Sequence, residues 1–408
     1  MTEASFNPGA SKTMHIDLNS CFATVEQQAN PRLRGIPLVV AAYPTGGGCV
    51  LASSVEAKKL GIKTGMRVRD AKVIYPRLCV LEPDPPKYRF VHEKLKTLLS
   101  LYSSNFVSCS IDEFVIHFDE AHSPFLKQKS ILELGREIKG RIKTEIGDYL
   151  TVSIGIGPNR FLAKVASNLK KPDGLEVIDK NNFETVYKKL TLIDLHGINK
   201  RNALRLNMVG IYNPWDFYQA PLWKLKAAFA SIASRFWYMR LRGWEIDSEN
   251  FSRKSYGNSY ALPKSSGTLE ELLPILQKLV EKTGSRMRAA GYQAQGVHVG
   301  LWFRDRGFWH KGMNLERALF DSRDIYKLMC TLLYQCPKLK PVHTLSETCF
   351  NLKPYKNAQL ELFEDTHKKR KIVSAIDRVN DRWGMFTVGP AQIIKATRAA
   401  PDRIAFGK

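Results

Sequence analysis

The chain has no run of about 18 apolar residues that could span a bilayer, and its polar opening, MTEASFNPGASK, is no signal peptide. Its seven cysteines are odd in number and include no C-x-x-C, which argues against a zinc site or a disulfide framework. These absences predict a protein of the reducing cytoplasm, with no membrane among its partners. Acidic residues are in short supply: 39 against 62 basic, a net charge of +23. Such an excess implies a polyanionic partner, nucleic acid first. The competing reading is a merely basic surface, or one resting on anionic lipid. What remains is ordinary for a globular protein, with 44% hydrophobic and 25% charged residues. A length of 408 residues predicts two to four domains.

One stretch organises the rest. In residues 106–118, FVSCSIDEFVIHF, apolar Val107, Cys109 and Ile111 alternate with polar residues, and Phe114, Ile116 and Phe118 then alternate again. This is the period of half-buried strands, so Asp112–Glu113 falls at the tight end of a hairpin. Two carboxylates on rigid backbone beside an open surface suit a hard divalent cation with sites left for water and phosphate. Adjacent acids alone say little. Three other such pairs, Asp119–Glu120, Glu270–Glu271 and Glu364–Asp365, read as solvated surface.

Along the chain, residues 1–13 read as a flexible arm. MHIDLN (14–19) reads as a strand with Asp17 on its polar face, followed by a helix over 21–29 capped by Ser20. Strands follow at 37–42 and 49–53. Gly46–Gly48 lacks a Walker pattern, and a helix over 55–60 carries Lys58 and Lys59 one turn inside it. Further helices are predicted over 130–145 and 158–169, around a strand at 150–157. Residues 192–211 resemble a helix-hairpin-helix around His196-Gly197-Ile198-Asn199, whose turn offers amides to a DNA phosphate. An ordinary helical pair is the alternative. After a polar linker, two strand-helix-strand halves predict a small α+β domain, with strands at 256–262, 297–303 and 344–352 and helices at 269–289 and 322–334. Its basic residues, among them Arg253, Lys254, Arg286, Arg288, Arg304 and Arg306, suit either solvent or a phosphate backbone. NAQLELFED (357–365) is a short apolar anchor between polar ends, which predicts an external pocket to bury it. Residues 366–408 hold ten Lys or Arg against three Asp, with a helix over 372–382.

Taken together, Asp17 ahead of a helix with Phe22 and Glu26, Glu56-Ala57-Lys58-Lys59-Leu60-Gly61, Ser110-Ile111-Asp112-Glu113 and Lys171-Pro172-Asp173-Gly174 resemble the bacterial Y-family translesion DNA polymerases. That group includes DNA polymerase IV and the catalytic subunit of DNA polymerase V. Arg253-Lys254-Ser255-Tyr256-Gly257 also matches, where a final domain opens. The resemblance implies an α+β, multidomain right-hand polymerase with palm, fingers, helical thumb and a separate α+β little finger. Its expected boundaries are palm 14–20 and 84–172, fingers 21–83, thumb 173–242, linker 243–252, little finger 253–353, clamp-binding motif 357–365 and a basic tail 366–408.

By that resemblance Asp17, Asp112, Glu113 and the Leu18 carbonyl would hold two Mg²⁺, with Mn²⁺ as a substitute. Phosphoryl transfer is mainly positioning and charge neutralisation, which agrees with such a site. Lys58, Lys59 and Lys171 would meet the triphosphate, and Phe22 would exclude a 2′-hydroxyl. Gly197, Ile198, Arg253, Lys254, Ser255, Arg286 and Arg304 would contact DNA, and Gln359, Leu360, Leu362 and Phe363 the bacterial sliding clamp. The implied partners are primer-template DNA, deoxynucleoside triphosphates, the clamp and accessory mutagenesis subunits, in the cytoplasm at the nucleoid. Two departures bear on nucleotide affinity and lesion choice: Val55 replaces a tyrosine of the polymerase IV group, and Asn19 a second aspartate. A non-catalytic, clamp-tethered scaffold would be marked by a lost metal carboxylate, and none is lost. Nucleotide cyclases share a palm with paired acids, but the thumb, last domain and clamp motif count against one.

Overall fold

The computed structural model describes residues 5–118, 129–247, 253–354 and 366–402. They divide into two compact units, one up to Glu249 and one spanning Asn250–Asp402. The first opens with β1 (Thr13–Leu18), α1 (Cys21–Ala29), β2 (Leu38–Ala41), β3 (Val50–Ser53), α2 (Val55–Lys59), α3 (Val68–Ile74), β4 (Cys79–Leu81) and α4 (Pro85–Ser100). It continues with β5 (Phe106–Ser108), β6 (Glu113–His117), α5 (Ile131–Arg141), β7 (Val152–Gly157), α6 (Arg160–Leu169) and β8 (Leu175–Val177). Five helices follow: α7 (Phe183–Lys189), α8 (Lys200–Met208), α9 (Pro214–Gln219), α10 (Leu222–Phe229) and α11 (Ala233–Leu241).

The main sheet runs β5-β6-β1-β7-β8. Alternation decides its faces. Met14, Ile16 and Leu18 point into a core shared with Val25, Tyr88, Leu95, Leu99, Leu134 and Ile138 from α1, α4 and α5. His15 and Asp17 therefore occupy the opposite face. There α6 lies directly on β7: a Cβ on Gly155 would sit 2.0 Å from the Ala163 carbonyl oxygen and 2.1 Å from the Ser167 nitrogen. Only glycine permits that approach. A separate small sheet, β3-β2-β4, carries the segment between α1 and α4. Helices α7 to α11 share a second core around Tyr187, Phe217, Leu225 and Trp237.

The second unit contains β9 (Ser255–Ser266), α12 (Leu269–Ala289), β10 (Tyr292–Phe303), β11 (Phe308–Leu319), α13 (Ser322–Leu333), β12 (Val342–Pro354) and α14 (Thr366–Trp383). Its antiparallel sheet runs β11-β10-β12-β9, with α12 and α13 packed against it.

Several expectations need correction. β11 was not expected, because FWHKGMNLERAL mixes Lys, Gly, Asn, Glu and Arg into an edge strand exposed along most of its length. Ser20 precedes α1 in a left-handed conformation (φ 53°) and makes no side-chain cap. The first half of the expected helix-hairpin-helix is a single 3₁₀ turn, Leu192–Asp194, before α8. The described part of the 1–13 arm is packed: Phe6 stacks on Phe183 at 4.0 Å, and Asn7 donates to the Gly243 carbonyl at 3.0 Å. The described part of the basic tail, residues 366–402, for which the sequence carried no expectation beyond a helix, is packed as well. Arg288 clasps Asp377 of α14 with two 2.7 Å bonds, and Lys278 donates to the carbonyls of Thr397 and Ala399.

Candidate active site

The turn between β5 and β6 is fixed from three sides. The Leu18 amide donates to the Asp112 carbonyl at 2.9 Å, joining the end of β1 to the turn. Ser110 Oγ accepts from the amides of Asp112 (3.3 Å) and Glu113 (3.0 Å) and donates to Asp112 Oδ1 (2.6 Å). His92 Nδ1 of α4 lies 2.8 Å from the Ile111 carbonyl. The strand register then sets Asp17 directly across from Glu113.

One cleft of about 600 Å³ is lined by Asp17, Leu18, Asn19, Phe22, Val55, Lys58, Lys59, Asp112 and Lys171. Acids and lysines that lie far apart in sequence thus face one space. Lys171 Nζ donates to Asp17 Oδ2 at 2.7 Å. Burial raises the Asp112 pKa, and the Asp17 and Glu113 charges raise it further. Glu113 behaves oppositely: against the cost of burial, His15 and Lys164 hold it down to about 2. Lys164 Nζ is 2.5 Å and His15 Nε2 3.7 Å from Glu113 Oε2. Glu113 lines a neighbouring cavity of about 810 Å³ with Arg160, Lys164, His196, Gly197 and Arg240. Burial and then the Lys171 charge lower the Lys58 pKa, while Asp17 and Asp112 oppose them.

Does this donor set fit a metal? Asp17 and Asp112 bring hard carboxylate oxygens to one cleft, and Asp112 is strained by burial and like charge, which a divalent cation would relieve. Glu113 is turned to Lys164, so among the described residues no three Asp, Glu, His or Cys side chains surround one point. The fit is to two of the three expected carboxylates as they stand.

Phe22 is half-buried, its ring stacked on Tyr88 at 4.3 Å and 10°. Tyr88 Oη donates to Glu26 Oε1 at 2.8 Å, and Lys87 pairs with Glu26 Oε2 at 2.6 Å. The sequence reading found Phe22 but not its backing. Asp84 followed by Pro85-Pro86, with Tyr88, Val91, Leu95 and Leu99 at helical spacing, was the signal for α4. Lys164 and His15 were missed because only the folded sheet brings them to Glu113.

The expected DNA contacts are distributed. Gly197 (φ 93°) lines the second cavity, whereas Ile198 is buried and its amide is already bonded to the Leu195 carbonyl at 3.0 Å. In the second unit Arg253, Lys254, Ser255, Arg286 and Arg304 are exposed. Arg253 stacks over Tyr256, and Arg286 donates to the Gly257 carbonyl and Asn258 Oδ1 at 3.0 Å each. Gln359, Leu360, Leu362 and Phe363 lie outside the described residues.

The impB/mucB/samB family model matches residues 16–168, and that family's C-terminal domain model matches 253–362. DNA polymerase IV of Pelotomaculum thermopropionicum is 30% identical over 378 residues, 91% of this chain and 92% of the relative. The chain belongs to the impB/mucB/samB family of Y-family DNA polymerases. Membership makes it a DNA-directed DNA polymerase of the translesion type, with an α+β multidomain fold. DNA polymerase IV 1 of Bacillus subtilis is 30% identical over 410 residues, 98% of each chain. A solved Y-family chimera of Dbh and Dpo4 superposes with a TM-score of 0.73 at 26% identity, covering 83% of this chain and 98% of that one. No helix among the described residues is long and apolar enough to cross a membrane.

Proposed function

We propose that this polymerase adds deoxynucleotides to a primer 3′ end by metal-assisted phosphoryl transfer, copies damaged templates in DNA damage tolerance, and is tethered to the sliding clamp. The observation that carries the reading is the single cleft in which Asp17 and Asp112 face Lys58, Lys59 and Lys171 beside the Phe22 ring. A triphosphate needs both halves, cationic side chains for its phosphates and carboxylates that would hold a metal to neutralise charge. Asp17 and Asp112 would hold Mg²⁺, with the Leu18 carbonyl as a further donor, and Glu113 would join by giving up Lys164. The bound ions supply charge neutralisation and a more acidic primer hydroxyl. Lys171 would exchange Asp17 for a phosphate oxygen. The Phe22 ring, held flat by Tyr88, would leave no room for a 2′-hydroxyl.

The proposed boundaries are palm 14–20 and 84–172, fingers 21–83, thumb 173–242 and little finger 253–353. Gly197 and the exposed Arg253, Lys254, Ser255, Arg286 and Arg304 would take the DNA backbone. The pentapeptide 359–363 would raise the local concentration of enzyme at the primer end through the clamp. Action is proposed at the nucleoid, with accessory mutagenesis subunits as further partners.

The test is primer extension with Mg²⁺ on undamaged and abasic templates, comparing wild type with Asp112→Ala. Extension by wild type alone supports the reading. DNA binding without extension by either protein, clamp present, would replace it with a scaffold, and extension by both would mean other carboxylates carry the chemistry. Clamp-dependent stimulation lost in Leu362→Ala/Phe363→Ala tests the tether separately.

A further inference from the structure

Asn19 stands two residues after Asp17, only 4% exposed, and every polar atom it owns is engaged. Its amide donates to the Thr151 carbonyl at 2.9 Å, and its carbonyl accepts from Thr24 Oγ1 at 2.7 Å. The side chain reaches further. Asn19 Oδ1 accepts from the Asp173 amide at 2.8 Å and from Thr151 Oγ1 at 3.2 Å, while Nδ2 donates to Ser153 Oγ at 2.9 Å. The same Ser153 hydroxyl accepts from the Gly174 amide at 3.4 Å.

One carboxamide therefore bolts the end of β1 to the start of β7 and to the turn 171–174. That turn is demanding. Asp173 has φ 60°, a region non-glycine residues seldom adopt, and a Cβ at Gly174 would meet the Lys170 carbonyl oxygen at 1.9 Å. Lys139 and Lys143 hold Asp173 from its other side, through its carbonyl and its Oδ2. Two residues before Asp173, Lys171 extends into the cleft and pairs with Asp17.

We propose that Asn19 is a positioning residue for the incoming nucleotide: its carboxamide fixes the 171–174 turn and so places the Lys171 ammonium at the triphosphate. The inference rests on the phosphate-binding role given to Lys171 above. The amide is the fitting group. A carboxylate there would have no N–H for Ser153 and would add a negative charge to a cleft already lined by Asp17 and Asp112. Asn19 lines the cleft with little exposed surface, and its polar atoms are all engaged by the protein itself. Its effect runs through Lys171, and that is measurable by coupling.

The experiment is steady-state single-nucleotide insertion on an undamaged template, with kcat and KM for the deoxynucleotide measured in wild type, Asn19→Ala, Lys171→Ala and the double variant. Loss of the bolt is expected to raise KM about tenfold in Asn19→Ala with kcat within about threefold. In the Lys171→Ala background the same change is expected to add less than about twofold. An equal factor in both backgrounds, or a fall in kcat at unchanged KM, would overturn the inference and leave the polymerase reading standing. Wild type without insertion would remove both. Should Asn19→Ala fail to fold, Ser153→Ala removes the acceptor shared by Asn19 Nδ2 and the Gly174 amide. It is expected to raise KM about threefold, again only while Lys171 is present, and an unchanged KM would count against the proposal.

Discussion

Burial raises the pKa of Asp112 in the first unit and of Glu347 in the second, but it surrounds the two differently. Asp112 opens on a cleft that also holds Asp17 and three lysines. Glu347 is fully buried on the core side of β12, accepting from Thr283 Oγ1 at 2.5 Å and Asn258 Nδ2 at 3.3 Å. Its second oxygen has no hydrogen-bond partner, and its pKa is pushed up to about 7 by burial, against Thr283, Asn258 and the Arg286 charge. A raised carboxyl is thus no mark of function by itself. What separates the two is access for a ligand and the company of cations that a ligand would exchange with.

The sharpest way to break this comparison is Asp112→Ala. Extension is expected to fall at least about a thousandfold, because the carboxylate would hold the metal that neutralises the reacting phosphate. Binding to primer-template, followed by fluorescence anisotropy, is expected to change little. Loss of binding together with activity would mean that Asp112 is structural, as Glu347 is.

Glu347 carries the opposite expectation, an effect on stability and none on chemistry. Between the usual carboxyl value of 4.5 and about 7, the folded protein holds a proton that the unfolded chain has released. The Glu347 contribution to stability is therefore full below about pH 4.5 and is lost as pH rises through 7, on the order of 3 kcal/mol. Glu347→Gln keeps an acceptor for Thr283 and Asn258 and removes the charge. Urea unfolding at pH 5.5 and 8 is expected to show the decline in wild type and its absence in the variant. Equal slopes in both would show that Glu347 titrates normally.

How far the sequence could go follows the same line. Asp17, Asp112 and the lysines were legible because they sit in local patterns, a strand end, a hairpin tip and a helix turn. Lys58 and Lys171 were assigned to one site through the family resemblance, not through spacing, since 113 positions separate them. Strand register is non-local, so the Glu113–Lys164 pair and the Asn19 bolt across β7 left no trace in any window. β11 was hidden because an edge strand with little to bury has no apolar alternation. The packed tail was hidden because its basic count resembles a solvated segment, while its anchors are single side chains such as Asp377, met by Arg288 from 89 residues away.

Glu26 offers a third kind of carboxylate, closed like Glu347 but paired like Asp17. It is 7% exposed, bonded to Lys87 and to the Tyr88 hydroxyl, and that hydroxyl belongs to the ring on which Phe22 stacks. Tyr88→Phe removes one charge-assisted hydrogen bond and leaves the ring in place. A cost of about 1–2 kcal/mol in unfolding free energy is expected. Discrimination between deoxy- and ribonucleotides, read as the ratio of kcat/KM values, is expected to stay within about twofold. Tyr88→Leu removes the flat backing as well, and should let ribonucleotides in more readily while Phe22 is still present. If Tyr88→Phe relaxed the choice of sugar as much as Tyr88→Leu, the hydroxyl and Glu26 would be setting the gate. The wall would then be an electrostatic device, not a stacked one, and Glu26 would belong with Asp112 among the carboxylates that serve the reaction.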